Sequence, residues 1–490
     1  MTLFYRFWNK GELALGKPTL YILTILILLR IVSLALYPLM DTTEGRYGEI
    51  SRKMAEMNDW ITPWFDAGVP FWGKPPLAFW MSALGIKLFG VNEFAVRIPQ
   101  FFAALLVAMI CYDWAKRALV NPFYVIAILS SSFLFIALSG AVTTDMALCI
   151  GSALSLRGFW LTLRSKVSQR KFEQWLFFIG LSIMLLAKGP VGWVLVFMPI
   201  TLWALLTGSI KETWKGLAWI SGCTLAVLAV LPWYLTAEQH TPGFLHYFVI
   251  GEHWERFTVS GWKGDLYGTA HAQTRGSIWL YLVSASLPWS LIFPITVWMA
   301  KHNKNGDQKP ANQKNTNQQF KLYLALTGLA PCVFFTMSGN VIWTYILPGL
   351  PSLALLLALF LGELKPTVAK KMVLIGTCVS AITMVTLFLA LTLGHRADAK
   401  SAKAVVKLYE AQHSSNPLVF LDDRVFSSKF YTGGKSLSIK TVAELDKLPN
   451  TGLIYIAVRK SQFKLLGKQL DGLKAVGDGE NYRLYSKNIH

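Results

Sequence analysis

The sequence has few charged residues for its length. Only 15% of its 490 residues are Asp, Glu, Lys or Arg, whereas a soluble domain has about 25%. Hydrophobic residues make up 53% of the chain, and many of them stand in runs long enough to cross a lipid bilayer. The scarcity of charge excludes an ordinary soluble protein and predicts a chain embedded in a membrane.

Cysteine and acidic residues are also scarce. The five cysteines all stand within apolar runs, which indicates buried thiols and neither a disulfide framework nor a metal site. There are 27 acidic residues against 47 lysines and arginines, so the net charge is +20. This excess does not indicate nucleic-acid binding, because the basic residues lie in short loops between apolar runs, where they report orientation. The sequence also lacks an internal repeat, which argues against a transporter built from inverted repeats.

A helix needs about 20 apolar residues to cross a bilayer, and this rule predicts roughly eleven to thirteen transmembrane helices. The first run is too long for a signal-peptide core and lacks a small-residue cleavage site, so it predicts an uncleaved helix. Arg30 stands in its middle and is expected to face protein or water. The eleven clearest runs are residues 21–39, 98–115, 122–139, 146–163, 175–187, 191–206, 217–235, 278–299, 322–337, 343–361 and 372–393.

The loops between these runs differ in charge. With eleven spans, all clusters of lysine and arginine fall on one side, which the positive-inside rule makes cytoplasmic together with the N-terminus. Residues 301–321, rich in Asn, Gln and Lys, predict a flexible linker on that side. The opposite, periplasmic face then holds residues 41–97, 143–145, 188–189, 237–277, 338–340 and everything after 394.

The last hundred residues change character. Short segments typical of strands alternate with segments typical of helices, which predicts a small periplasmic α/β domain over residues 394–490. It follows a membrane domain over residues 1–393, whose first periplasmic loop is 41–97. The predicted strands are 418–421, 453–458 and 482–485, and the predicted helices are 402–412, 441–447 and 460–470.

The first periplasmic loop carries polar residues among aromatic side chains. From Glu44 onward it predicts an amphipathic juxtamembrane helix, with Asp41 and Glu44 at its start and Arg46 and Tyr47 in its first turns. Either acid alone is explained equally well as a helix cap. Lys74 follows within Trp-Gly-Lys-Pro-Pro, where two prolines stiffen the loop. This places the ammonium near the lipid headgroups, where it binds either a phosphate or lipid in general.

Further polar residues reach the same face from other helices. Asp145 begins the fourth predicted span, as a cap or as a functional acid. Lys188 ends the fifth span, and its convergence with other cations would form an anion site. Tyr345 opens the tenth span, as a phosphate ligand or as an interfacial anchor.

The long periplasmic loop contains Glu252, His253 and Arg256. Glu252 and His253 are residue types that bind divalent metals, but their spacing matches no standard site. The sequence therefore requires no metal or other cofactor, and the question of a metal near these two residues stays open.

Six short motifs follow one another on this face. Together they resemble those of the polyprenyl-phosphate-sugar-dependent glycosyltransferases of the GT-C fold, in particular the lipid A aminoarabinose transferases and bacterial relatives of the protein mannosyltransferases. The resemblance covers residues 20–361, and its specificity comes from the order and common side of motifs that are individually weak. The motifs are RYGEI at 46–50, WGKPP at 72–76, TTDM at 143–146, AKGPV at 187–191, EHWERF at 252–257 and TYILP at 344–348.

The resemblance implies roles for individual residues. The family's first external loop supplies an essential Asp that is usually followed by Glu. Here Thr43 and Glu44 align with that pair and Asp41 lies two residues earlier, so either Asp41 or Glu44 takes the role. The family's second acid matches Asp145. The implied residues for substrate and phosphate binding are Arg46, Tyr47, Lys74, Lys188, His253, Arg256 and Tyr345.

The implied activity is that of an integral glycosyltransferase of the bacterial inner membrane. It moves a single hexose or pentose, with inversion, from an undecaprenyl phosphate donor to a periplasmic acceptor such as lipid A, lipopolysaccharide or another envelope glycan. Cations stabilise the departing phosphate and a carboxylate activates or orients the acceptor. The alternatives are a protein O-glycosyltransferase of the same fold and a lipid or glycan transporter or flippase.

Overall fold

The computed structural model describes residues 2–164, 167–302, 311–413, 416–422, 425–447, 452–470 and 472–489. Most of these residues are helical, and a small mixed β-sheet lies near the C-terminus. The chain is a polytopic α-helical membrane protein with a small C-terminal α/β region, as the sequence predicts.

The membrane region is built from helices and one short hairpin. Its helices are α1 (Thr2–Leu15), α2 (Lys17–Leu36), α3 (Thr43–Met57), α4 (Leu77–Phe89), α5 (Glu93–Arg117), α6 (Pro122–Ser130), α7 (Phe133–Leu138), α8 (Asp145–Arg164), α9 (Val167–Lys188), α10 (Val191–Thr207), α11 (Ile210–Gly216), α12 (Trp219–Leu228), α13 (Leu231–His240), α14 (Phe244–His246), α15 (Arg256–Thr258), α16 (Ser277–Ala285), α17 (Trp289–His302), α18 (Ala311–Phe335), α19 (Leu350–Leu361) and α20 (Pro366–Thr392). The hairpin strands are β1 (Trp64–Asp66) and β2 (Val69–Pro70). A π-helical segment, Tyr247–Glu255, follows α14, and a 3-10 segment, Trp343–Gly349, precedes α19.

Several helices are long and apolar enough to cross a membrane. The part of the chain that the structure describes has six of these, and α16 with α17 forms a seventh if the pair, bent by 84°, is one span. Each of the eleven apolar runs overlaps a helix, but others of these helices are short, broken or more polar. The count of eleven to thirteen crossings therefore stays a prediction. The six are Lys17–Leu36, Glu93–Arg117, Asp145–Arg164, Trp219–His240, Trp343–Leu361 and Pro366–Thr392.

The chain divides into two compact units. The first unit consists of Met1–Arg30, Pro70–Ala78 and Gln100–Met384. The second consists of Ile31–Val69, Phe79–Pro99 and Val385–His490. The division into domains at residue 393 stays a prediction.

The core of the first unit contains the packing of α8 along α9. Gly158 on α8 permits this close approach, because a Cβ there would lie 2.7 Å from the amide nitrogen of Phe177. Ser155 uses the same approach to donate from Oγ to the Phe177 carbonyl oxygen at 2.9 Å. Small residues suit a membrane interior, where helices associate through close contact and hydrogen bonds rather than through hydrophobic burial.

Arg30, in the middle of α2, faces protein. Its Nε donates to the carbonyl oxygen of Ser139 at 2.5 Å and its Nη2 to that of Ala137 at 3.3 Å. Two carbonyl oxygens at the C-terminal end of α7 thus accept hydrogen bonds from the guanidinium, which lipid tails could not do. The prediction that Arg30 avoids lipid is confirmed.

The C-terminal part of the second unit contains a five-stranded sheet in the order β4-β3-β5-β7-β6. Strand β3 is parallel to β4 and β5, whereas β7 is antiparallel to β5 and β6. All four residues of β3 are buried because apolar side chains cover both faces of the sheet. The elements are α21 (Lys403–Glu410), β3 (Leu418–Leu421), α22 (Phe426–Tyr431), β4 (Leu437–Ile439), β5 (Gly452–Arg459), α23 (Phe463–Leu466), β6 (Lys474–Asp478) and β7 (Tyr482–Ile489).

Some sequence predictions need correction. The predicted helices at 441–447 and 460–470 are short 3-10 turns with one α-helical turn, α23. Strands β4 and β6 and helix α22 were not predicted, because each is too short to show an apolar period. The predicted linker 301–321 is wrong for residues 311–321, which begin α18, while residues 303–310 lie outside the described chain.

Substituting Gly158 by Val tests the α8–α9 packing. The added side chain meets the backbone of α9, so we expect the free energy of unfolding to fall by about 2 kcal/mol. Thermal unfolding of the detergent-solubilised protein measures the loss. The control is Gly362→Ala on the exposed end of α19, where a Cβ would have no heavy atom closer than 3.4 Å. Equal unfolding temperatures for the two variants would contradict the packing argument.

Candidate functional site

The loop that carries Lys74 is fixed on both sides. The backbone nitrogen of Trp72 donates to the Tyr267 hydroxyl at 2.9 Å, and the Trp72 indole Nε1 donates to Thr241 Oγ1 at 3.0 Å. Helix α4 begins at Leu77, directly after the two prolines. The ammonium of Lys74 is thus held by a short, stiff segment, as the sequence predicts.

Glu252 is the immediate partner of Lys74. Their side chains form an ion pair at 2.7 Å, and Arg256 Nη1 donates to the other Glu252 oxygen at 3.0 Å. Only 3% of the Glu252 side chain is exposed. Burial alone would raise the pKa of Glu252, but Lys74 and Arg256 outweigh it and lower the pKa to about 2. Glu252 is therefore an anion between two cations at neutral pH.

A second ion pair joins the ends of two adjacent helices. Lys188, the last residue of α9, donates to Asp145, the first residue of α8, at 2.5 Å. Each residue complements its helix dipole, since acids are favoured at helix N-termini and cations at C-termini. The Lys188 ammonium also lies 4.9 Å from the ring centroid of Tyr345. The structure brings together three residues that the sequence placed on different spans.

His253 is held by backbone carbonyl groups. Its Nδ1 lies 2.7 Å from the carbonyl oxygen of Phe248 and its Nε2 lies 3.1 Å from that of Lys188. Burial lowers the pKa of His253, against these two contacts. Both ring nitrogens therefore contact carbonyl oxygens and are not left for a metal, and the described residues contain no group of three candidate metal ligands. The donor set at Glu252 and His253 does not fit a divalent metal.

These side chains line one cavity of about 350 Å³ in the first unit. Lys74, Lys188 and Arg256 form its cationic part, with Glu252 and Tyr345 beside them. Arg256 Nε is buried and has no hydrogen-bond acceptor among the described residues. The rest of the wall is mostly apolar and is formed by Leu148, Val191, Val194, Leu195, Val249, Ile250, Trp254, Phe257, Phe334 and Phe335.

The four site residues predicted at 41–47 belong to the second unit. There Glu44 pairs with Arg97, whose Nη2 donates at 2.8 Å and whose Nε donates at 3.1 Å. Arg97 is fully buried and also donates to the carbonyl oxygens of Leu34, Tyr37 and Pro38. Glu44 therefore neutralises a buried guanidinium that joins α3 to the end of α2.

Asp41 has different partners from Glu44. Its Oδ1 accepts from the backbone nitrogen of Ser427 at 2.8 Å, and its Oδ2 accepts from Ser427 Oγ at 2.5 Å. Burial raises the pKa of Asp41 to about 7, against these two hydrogen bonds. Asp41 can therefore lose and regain a proton near neutral pH, whereas Glu44 has a cationic partner.

Arg46 and Tyr47 lie on the first turns of α3, as predicted. The Arg46 guanidinium lies 5.2 Å from the ring centroid of Tyr47 and 5.8 Å from that of Phe426. The Tyr47 ring meets Phe79 edge to face, with centroids 5.2 Å apart. These contacts fix both side chains within the second unit, and their role in substrate binding stays a prediction.

The sequence analysis did not identify the ion-pairing roles of Glu252, Asp265 and Arg97. Glu252 was considered only as a metal ligand, although its spacing of four residues from Arg256 is typical of a helical ion pair. Asp265 also contacts Arg256, at 3.4 Å, and Arg97 holds Glu44. The last two contacts join residues nine and 53 positions apart, and no local pattern indicates them.

Glu252→Gln tests the central ion pairs. The change leaves two buried cations without their carboxylate, so we expect the free energy of unfolding at pH 7 to fall by about 3 kcal/mol. Because the pKa of Glu252 lies below its ordinary value, its stabilisation is present above pH 4.5 and is lost as the pH falls toward 2. The variant should therefore lose less stability than the parent over that interval.

A matched control lies in the same segment. Glu255 is exposed, and its Oε2 accepts a hydrogen bond from Trp262 Nε1 at 3.0 Å. Glu255→Gln should leave the unfolding temperature nearly unchanged. If both variants unfold at the parent's temperature, Glu252 does not stabilise this site.

Comparison with known proteins shows which proteins this chain resembles. The family model for dolichyl-phosphate-mannose-protein mannosyltransferase matches residues 15–248. The chain is 30% identical over 355 residues to the undecaprenyl phosphate-alpha-4-amino-4-deoxy-L-arabinose arabinosyl transferase 2 of Pseudomonas fluorescens (strain Pf0-1), covering 70% of this chain and 59% of the relative. It is 32% identical over 340 residues to the corresponding transferase of Pseudomonas aeruginosa (strain UCBPP-PA14), covering 67% and 56%. The chain thus spans less than two thirds of the length of these relatives.

Solved structures show the same fold. ArnT from Cupriavidus metallidurans, in a crystal structure bound to undecaprenyl phosphate, superposes with a TM-score of 0.77 at 20% identity, covering 95% of this chain and 97% of ArnT. The apo state of ArnT gives a TM-score of 0.75 with the same coverage. The resemblance expected from the six motifs is confirmed, and the chain is a polytopic membrane protein of the GT-C fold.

Proposed function

We propose that this chain is a glycosyltransferase that moves a single sugar from undecaprenyl phosphate to a lipid acceptor. By analogy with the names of its relatives, the donor sugar is 4-amino-4-deoxy-L-arabinose. The proposed acceptor is lipid A or lipopolysaccharide, which is the acceptor that the resemblance of the six motifs implies. The observation that carries the proposal is a cavity with cationic side chains in one part and apolar walls in the rest. A polyprenyl phosphate has this same division between an anionic head and an apolar chain.

The cationic part of the cavity can still donate to a phosphate. Lys74 Nζ contacts the Gly73 carbonyl oxygen and Glu252, which occupies two of its three N–H donors. Arg256 Nε is buried and has no acceptor in the part of the chain that the structure describes. A phosphate that accepts from these groups also receives the charge that develops as the sugar departs, which is when donors fixed in advance are most effective.

Asp41 is the better candidate for the acid that activates the acceptor. A general base works best with a pKa near the working pH, and the pKa of Asp41 is about 7. In one step the acceptor oxygen bonds to the anomeric carbon, the bond from that carbon to the phosphate oxygen breaks, and the acceptor proton passes to Asp41. Undecaprenyl phosphate leaves, and the anomeric configuration inverts. In this proposal Asp145 pairs with Lys188 and does not contact the acceptor.

The proposed location follows from the charge of the loops. The chain lies in the bacterial inner membrane with its N-terminus in the cytoplasm, and residues 394–490 form a periplasmic domain. The donor lipid, the lipid acceptor and membrane lipids are its proposed partners.

A protein acceptor is the second candidate, because the matched family model is named for protein mannosyltransferases. The same assay with envelope protein in place of lipid A separates the two. Transport of lipid without glycosidic bond formation would support the flippase alternative instead.

Lys74→Met and Lys188→Met test the phosphate site. The full-length protein in detergent receives undecaprenyl phosphate-linked aminoarabinose and lipid A, and mass spectrometry follows the modified lipid A. Each variant removes a donor to the leaving phosphate, so we expect kcat/KM to fall about 100-fold. Lys263→Met, at an exposed lysine of the long loop, should retain parental activity. Parental rates in both cavity variants would overturn the proposal.

Asp41→Asn and Glu44→Gln separate the two acids. Loss of a general base should reduce turnover by about 1,000-fold in Asp41→Asn. Glu44→Gln leaves the buried Arg97 unpaired, so its main effect should be a loss of about 3 kcal/mol in stability. In the parent, activity should rise with pH through about 7, because only the deprotonated Asp41 accepts a proton. Loss of turnover without loss of stability in Glu44→Gln would reverse the assignment.

A further inference from the structure

We propose that Ser427, in the C-terminal part of the second unit, is a positioning residue for transfer that acts through Asp41. This inference rests on the proposed function, because it requires Asp41 to be the acid that takes the acceptor proton. It gives the C-terminal α/β region a part in the reaction that the motifs of the membrane region do not indicate.

The contact between the two residues has two points. One Asp41 oxygen accepts from the Ser427 backbone nitrogen at 2.8 Å, and the other accepts from the Ser427 hydroxyl at 2.5 Å. A carboxylate held at both oxygens cannot rotate about its last bond without breaking a hydrogen bond. Ser427 therefore determines which of the remaining lone pairs of Asp41 can receive a proton.

The direction of the hydroxyl proton is also determined. The backbone nitrogen of Ala402 donates to Ser427 Oγ at 2.9 Å. A serine hydroxyl has one proton, so an oxygen that accepts from Ala402 is left to donate that proton to Asp41. Ser427 and Ala402 are both fully buried, so water does not compete for this chain of hydrogen bonds.

The helix that follows Asp41 is shaped for this contact. Gly45 on α3 faces α22, and a Cβ at Gly45 would lie 2.8 Å from the Ser427 nitrogen and 2.5 Å from Asp41 Oδ1. Any side chain there would push the serine and the aspartate apart. The contact between Asp41 and Ser427 therefore requires α3 and α22 to approach closely at Gly45.

Two charged residues influence the pKa of Asp41 in addition to the hydrogen bonds from Ser427. Arg459 lowers the pKa of Asp41 and Asp422 raises it, and these two residues form an ion pair with each other at 2.6 Å. Burial is the largest influence and raises the pKa of Asp41, while the hydrogen bonds from Ser427 oppose it. Ser427 therefore keeps the carboxylate ionised at a pH where burial would leave it protonated.

A simpler role would be structural, with Asp41 serving only to tie α3 to α22. The two roles differ in their dependence on pH. A structural loss lowers activity by the same factor at every pH, whereas loss of positioning moves the pH at which activity appears.

Ser427→Ala distinguishes the roles when sugar transfer to lipid A by the full-length protein is measured from about pH 5.5 to 9. A hydrogen bond to a charged group is lost, so the acid limb of the pH–activity profile should move upward by about one pH unit. Activity should fall roughly tenfold at pH 6 and converge with the parent near pH 9. Ser428→Ala is the matched control, since Ser428 is also buried on α22 but donates to the Val425 carbonyl oxygen. An acid limb that stays in place would overturn the inference.

A second variant acts without changing Ser427. Ala402→Pro removes the N–H group that orients the hydroxyl. Its backbone suits proline, because φ of Ala402 is −84° and the preceding Ser401 is extended. For Ala402→Pro we expect the acid limb of the pH–activity profile to shift upward by less than in Ser427→Ala. Ser427→Thr keeps the hydroxyl group and should have the parental pH–activity profile.

Failure of the inference can be told apart from failure of the proposed function. If Asp41→Asn is inactive while Ser427→Ala keeps the parental profile, Asp41 is the base but Ser427 does not position it. If Asp41→Asn transfers sugar at the parental rate, the assignment of the base is wrong and the inference falls with it.

Discussion

The cavity of the first unit depends on a buried carboxylate that holds two cations. Glu252, in the π-helical segment, pairs with Lys74 of the stiff loop and with Arg256, the first residue of α15. Asn340 supports α15, because its amide donates to the carbonyl oxygens of Arg256 and Val259 at 2.6 Å. Without Glu252, the cationic side chains would repel one another in a poorly hydrated space. The acid therefore permits a concentration of positive charge that a phosphate can use.

The sequence indicated this site better than it indicated its internal connections. Lys74, Asp145, Lys188 and Tyr345 could be assigned to one face because loop charge determines sidedness. Their partners could not be assigned in the same way, since the contact of Lys74 with Glu252 joins residues 178 positions apart. In the C-terminal region, long buried strands such as β5 were predictable, whereas β4 has only three residues and shows no period.

The two acids near the start of α3 illustrate how environment separates similar residues. From the sequence, Asp41 and Glu44 were both candidates for one role, with Asp41 slightly favoured. Arg97 gives Glu44 a fixed charge and a place in the packing, and Ser427 gives Asp41 two neutral donors instead. A carboxylate with neutral partners can change its charge during a reaction at lower cost than one that must leave a buried guanidinium unpaired.

The bend between α16 and α17 has a consequence for the surrounding lipid. At 1.5 Å per residue these helices are roughly 14 and 21 Å long, so the two helices together, nearly at right angles, reach about 26 Å. The hydrocarbon core of a bilayer is about 30 Å thick. If the pair forms one span, its two helices reach less far than the hydrocarbon core is thick. A span of this kind would require a thinner bilayer beside it, which would shorten the path of a lipid headgroup into the membrane.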